Sequence, residues 1–200
     1  MRKFVMESGT SLIFGSPAYR RVKRETLYHN RIYLLDPNGN EFYYDKLHLV
    51  PFGEYVPLKK IFKFAKRFVS AMGDMDPGDQ FKLLPFRSYL IGGYICYEAI
   101  FPELVRIFRK NGAQLFVNIT NDAWFGRTSA PYQHISMAAM RSVENRVWTV
   151  RVANTGVSAT ITPEGRIINP TPIFVRTYTI EEVGFFPKKT FYSLYGDCLL

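Results

Sequence analysis

Apolar positions in this chain fall into short runs separated by polar turns, and their period switches between that of a strand and that of a helix. Ser11–Gly15, SLIFG, reads as a short apolar strand. Thr26–Leu35 and Glu41–Lys46 flank Asp36-Pro-Asn-Gly-Asn40, a strong turn signal, and so predict a hairpin. Val56–Met72 carries a helical period. Phe81–Leu84 and Tyr89–Cys96 read as strands, and the second contains Gly92 and Gly93. A helix over Ala99–Lys110, a buried strand over Gln114–Ile119, a loop at Asn121–Gly126 and a long helical segment over Ala130–Val147 follow. Strands Thr149–Ala153 and Val157–Thr162 surround the turn Asn154-Thr155-Gly156, with another turn at Pro163–Arg166. Ile173–Ile180 reads as a last strand, and no clear period continues beyond Gly184. Alternating strands and helices in the middle, with hairpins at both ends, predict an α/β sandwich with mixed sheets.

Composition narrows the classes. With 200 residues, 47% hydrophobic, the chain suits one globular domain with a sizeable core. Sixteen per cent aromatic content fits a packed or lipid-facing protein rather than a disordered one. Lys and Arg number 26 against 17 acidic residues, and the net charge of +9 calls for an anionic partner. No nucleic-acid-binding fingerprint appears, so no nucleic acid is expected, and an anionic membrane surface remains. Two cysteines, Cys96 and Cys198, imply no disulfide framework. No apolar run reaches the length of a membrane span and the N-terminus has no signal-peptide pattern, so the chain as given reads as soluble.

Three segments carry candidate chemistry. Cys96 stands where an apolar strand meets a helix, in YLIGGYICYEAIFPE. The positive end of a helix dipole favours thiolate, the nucleophilic form, although a lone cysteine also serves as a core residue. In YDKLHLVPFGEYVP, Lys46 closes a strand and Glu54 follows eight residues later. A lysine beside a carboxylate and a thiolate can stabilise an oxyanion or relay a proton, whereas singly both residues read as solvated surface groups. His48 is a weaker candidate for a base, and His134 reads as structural. In NITNDAWFG a polar loop presents Trp124 and Phe125, which suit a site wall, a lipid contact or a capped loop with its aromatics tucked in. No metal-ligand spacing and no phosphate-binding glycine loop occur, so neither a metal nor a cofactor is expected.

A fourth segment, Leu58–Met72, gathers Leu58, Ile61, Phe62, Ala65, Phe68, Val69 and Met72 on one helical face. Lys59, Lys60, Lys63, Lys66 and Arg67 crowd the remainder. Such a helix lies on an anionic bilayer, or buries its apolar face in the sandwich and solvates its lysines.

Together, KLHLVPFGEYVP, ICYEAIFPELVR, NDAWFG and ANTGVSATITPEG resemble the nitrilase (carbon-nitrogen hydrolase) superfamily over nearly the whole chain. More narrowly they resemble its membrane-bound branch, the apolipoprotein N-acyltransferases. The resemblance implies a four-layer α-β-β-α sandwich and a Glu-Lys-Cys triad. By motif, Cys96 becomes the nucleophile, Lys46 the triad lysine and Glu54 an accessory carboxylate. Tyr97 and Glu98 complete the elbow, with the Tyr97 N–H on the oxyanion. Trp124, Phe125, Phe62 and Phe68 become substrate or lipid contacts. The implied reaction moves an acyl group from a phospholipid, through a Cys96 thioester, to the amine of a diacylglyceryl-cysteine lipoprotein on the outer face of a bacterial inner membrane.

In that branch the triad glutamate lies in a Pro-Glu motif upstream of SGTSLIFG, and Glu7 does not replace it. The chain is therefore expected to be cut short at both ends and weak alone. Residues 1–183 are the partial catalytic domain, and residues 184–200 approach a further membrane helix. Two alternatives stay open: a soluble nitrilase-type amidase acting on a small C–N bond, and a non-catalytic lipid-binding remnant.

Overall fold

Adjacent glycines in one strand set the layers. Successive residues of a strand face opposite sides of its sheet. A methyl group on Gly92 would come within 2.9 Å of the Phe108 side chain, and one on Gly93 within 2.9 Å of Ile32. Phe108 belongs to a helix and Ile32 to a second sheet, so this strand has a helix against one face and a sheet against the other.

The structure, a computed structural model, describes residues 1–23, 25–55, 57 and 75–198. Helix α1 (Arg2–Ser8) precedes strands β1 (Leu12–Val22), β2 (Glu25–Leu35) and β3 (Glu41–Asp45), which form an antiparallel sheet in that order. The larger sheet runs β4 (Leu83–Phe86), β5 (Tyr89–Ile95), β6 (Leu115–Asn121), β7 (Thr149–Asn154), β8 (Ala159–Ile161) and β9 (Ile167–Ile168). Its centre, β5-β6-β7, is parallel, and the flanking pairs are antiparallel. Helices α2 (Pro102–Lys110) and α3 (Ala130–Asn145) make the parallel crossovers. Ile32, Leu34 and Tyr44 from the smaller sheet join Leu84, Ile91 and Phe116 from the larger, and Val105, Phe108 and Ile135 from the helices, in one core.

Differences from the sequence reading have local causes. The strand expected at Ser11–Gly15 runs on to Val22, because its eleven residues pair with all of β2. Ala99–Lys110 is not one helix: Cys96–Ile100 is a 3-10 turn, Phe101 is extended and α2 starts at Pro102. A proline keeps its predecessor out of the helical region and suits the first helical position. Ile173–Ile180 forms no strand. The two-residue β9 closes that end of the sheet, and Tyr178 and Ile180 stay exposed. The predicted helix Val56–Met72, with Phe62 and Phe68, lies outside the described residues apart from Pro57.

The segment after Gly184 packs on the domain. Phe185 stacks on Tyr89 with ring centres 4.0 Å apart. Arg109, fully buried, donates to the carbonyls of Ala113, Phe186 and Lys188, and burial lowers its guanidinium to about 10. Helix α4 (Phe191–Tyr195) is capped by Thr190 and held by Arg106, which donates to Ser193 and Leu194 carbonyls.

Candidate active site

β5 delivers Cys96 into a sharp turn. Its φ is +49°, in the left-handed region. A non-glycine residue there costs about 1–3 kcal/mol and persists only where its surroundings enforce it. The expected placement at the positive end of an α-helix is not found, since α2 begins six residues later. Cys96 remains partly exposed.

Glu98 ties this turn to the lysine. Its carboxylate is fully buried. One oxygen accepts from the Ile95 N–H at 2.7 Å, immediately before Cys96. The other accepts from the N–H groups of Leu47 at 2.8 Å and His48 at 3.1 Å, immediately after Lys46, and from the Tyr44 hydroxyl at 2.7 Å. A single side chain thus fixes the backbones bearing Cys96 and Lys46. Burial pushes its carboxyl up, against the opposing pull of its donors and of Lys46. The phenol of Tyr44 is raised well above its usual range by the same burial and by the Glu98 charge.

Lys46 is 1% exposed, and its ammonium lies 2.7 Å from Glu54. A buried ammonium requires such a partner. Glu54 is held in turn by Val50 N–H at 2.8 Å and by the Asn30 amide at 3.1 Å. The Lys46 N–H donates to the Asn30 carbonyl at 2.8 Å, which anchors this strand end to β2.

Behind Cys96 lies a second buried group. His134 on α3 contacts the Cys96 carbonyl through Nε2 at 3.0 Å and Asp122 through Nδ1 at 2.9 Å. Arg151 on β7 donates to Asp122 at 2.9 Å, and also to Asn118 and the Val157 carbonyl. Burial pushes the Asp122 carboxyl up, but the hydrogen bond from His134 and the Arg151 charge outweigh it and hold it below its usual range. The chain leaves room for this group at Gly156, where a methyl would run into the Asp122 carboxylate.

The other sequence candidates scatter. Tyr97 packs edge-on against Phe101 with ring centres 5.4 Å apart. His48 is exposed, with its ring 3.9 Å from that of Phe101 and its backbone on Glu98. The Trp-Phe pair divides: Trp124 is 58% exposed, while Phe125 turns edge-on toward His134. Sequence reasoning missed Tyr44, Asn30, Asp122 and Arg151, and took His134 as structural. The available signal was Asn118 and Thr120 inside the otherwise apolar β6, since buried polar residues require partners. Among the described residues, no cluster of three His, Cys, Asp or Glu could hold a metal.

A profile of the carbon-nitrogen hydrolase family matches residues 1–183. The chain belongs to that family. Among curated carbon-nitrogen hydrolase relatives, the apolipoprotein N-acyltransferase of Geobacter metallireducens is 47% identical over 192 residues, covering 96% of this chain and 37% of that protein. The enzyme of the same name from Rickettsia prowazekii is 41% identical over 175 residues, covering 84% of this chain and 34% of that protein. The chain thus spans little more than a third of either relative. Among solved structures, a carbon-nitrogen hydrolase from Helicobacter pylori superposes with TM-score 0.66 at 16% identity, over 86% of this chain and 61% of that one. An amidase from Nesterenkonia sp. gives 0.62 at 22%, over 86% and 60%. At those identities the likeness concerns the fold, and the nitrilase-like sandwich expected from the motifs is the one present.

Proposed function

We propose that this chain is the catalytic domain of a phospholipid-dependent apolipoprotein N-acyltransferase, with Cys96 as nucleophile. The observation that carries the proposal is the Glu98 carboxylate binding both the Cys96 turn and the backbone after Lys46. Such an arrangement fixes the backbones next to Lys46 and Cys96 relative to one another. The relatives' shared name supplies the substrate class.

In the first half-reaction the Cys96 sulfur bonds to an ester carbonyl carbon of a phospholipid. The oxyanion that forms meets the Lys46 ammonium and the Tyr97 N–H. The C–O bond then breaks, the lysophospholipid leaves as an alcohol with the proton the thiol gave up, and a Cys96 thioester remains. In the second half-reaction the amine of a diacylglyceryl-cysteine lipoprotein attacks the thioester. An amide forms, the C–S bond breaks and the amine's proton returns the thiol. Glu54 keeps Lys46 directed throughout. Trp124 supplies an exposed apolar contact for acyl chains and Phe125 backs it, while Phe62 and Phe68 are assigned to lipid contact by the sequence pattern alone. The reaction then takes place at the outer face of the bacterial inner membrane, on an anionic surface. Among the described residues no helix is long and apolar enough to cross a membrane.

The test is a chimera in which this chain replaces the matching 192 residues of the Geobacter metallireducens relative. It is assayed for acyl transfer from phosphatidylethanolamine to a diacylglyceryl-cysteine peptide, and for hydrolysis of small amides. We expect transfer, abolished by Cys96→Ala and reduced at least about a hundredfold by Lys46→Met. Amide hydrolysis without transfer, or transfer that survives Cys96→Ala, would overturn the reading.

A further inference from the structure

A peptide unit is planar, with its C=O and N–H on opposite sides. The unit joining Cys96 to Tyr97 therefore has the Cys96 carbonyl on one side and the Tyr97 N–H on the other. Whatever holds that carbonyl also sets the direction of that N–H.

The carbonyl is held by His134, whose Nε2 lies 3.0 Å away. A carbonyl only accepts, so Nε2 carries a proton. The ring cannot turn freely. Its Nδ1 lies 2.9 Å from an Asp122 oxygen and 3.1 Å from an Arg151 nitrogen. Asp122 also accepts from the Thr120 hydroxyl at 2.9 Å and from Arg151 at 2.9 Å. His134, Asp122 and Arg151 are all at most 5% exposed. Asp122, just after β6, and Arg151 on β7 thus hold the ring of His134 on α3, and His134 holds the carbonyl oxygen of the strained Cys96. Glu98 pins the Tyr94–Ile95 peptide through the Ile95 N–H, and His134 pins the Cys96–Tyr97 peptide through the Cys96 carbonyl.

We propose that His134 is a positioning residue that aims the Tyr97 N–H at the oxyanion formed when Cys96 attacks an acyl carbonyl, with Asp122 and Arg151 fixing its ring. This rests on the reading of Cys96 as nucleophile. It separates two reactions of the same sulfur. Attack on an ester passes through an oxyanion and needs the aimed N–H. Alkylation by iodoacetamide displaces iodide at a saturated carbon, forms no oxyanion and does not need it.

The experiment compares both reactions on the chain as it stands. Cys96 acylation by p-nitrophenyl acetate, whose leaving group departs without a proton, is followed by peptide mass mapping. Cys96 alkylation by iodoacetamide is measured likewise, with exposed Cys198 as the reference thiol in the same molecule. His134→Leu is expected to slow Cys96 acylation at least about tenfold while alkylation stays within about twofold. His134→Gln, whose amide can donate from the position of Nε2, is expected to restore most of the acylation rate. Equal loss of both reactions in His134→Leu would overturn the proposal, since the residue would then only maintain the shape of the turn. So would no loss, or a glutamine that restores nothing. If acyl transfer in the chimera survives Cys96→Ala, the nucleophile itself is wrongly assigned and both readings fall.

Discussion

Cys96 can hold its left-handed backbone because buried carboxylates act on both sides of it, directly through Glu98 and through His134 from Asp122. Neither carboxylate contacts bulk solvent. Asp122 makes this support dependent on pH. Its carboxyl is held below the usual range in the folded state, because the hydrogen bond from His134 and the Arg151 charge outweigh burial. A carboxyl depressed on folding adds stability above its unfolded value, about 3.9, and that stability is lost as pH falls through the folded value. Urea midpoints should therefore fall more between pH 5 and about pH 3 in the unsubstituted chain than in Asp122→Asn. Equal falls in the two proteins would show that Asp122 carries no such linkage.

At the scale of elements, the strand pattern was largely legible. The Asp36–Asn40 turn announced the β2–β3 hairpin, and the apolar runs announced β5 and β6. What could not be read were features set by partners distant in sequence. β1 extends because β2 offers eleven partners, and Ile173–Ile180 pairs with no strand despite its apolar run. The site was legible in the same uneven way. Cys96, Lys46 and Glu54 were marked by motif, and the Lys46–Glu54 contact is there at 2.7 Å. Glu98 as the tie between them was not, because its donors Leu47 and His48 lie some fifty residues away in sequence. Gly92 and Gly93 gave the layering only once their neighbours were known. Gly92→Ala would place a methyl 2.9 Å from Phe108 and 3.0 Å from Ala113. Helix α2 would have to move off the sheet, and overpacking of this kind costs about 1–3 kcal/mol. Thermal unfolding should register a lowered midpoint. An unchanged midpoint would mean that α2 packs less tightly than described.

At the scale of the whole molecule, the layers converge on one place. The smaller sheet brings Lys46, the larger brings Cys96 and Arg151, and α3 brings His134. The two sheets are joined there by Glu98, a charged group that the core tolerates because four donors satisfy it. The same convergence makes the acyl intermediate the central claim. It is tested by giving the chimera phosphatidylethanolamine with a labelled acyl chain and no amine acceptor, then mapping the label by peptide. Label on the Cys96 peptide, released by hydroxylamine and passed to a diacylglyceryl-cysteine peptide when one is added, is the predicted result. Transfer to the acceptor with no labile label on Cys96, or with the label on another residue, would contradict it.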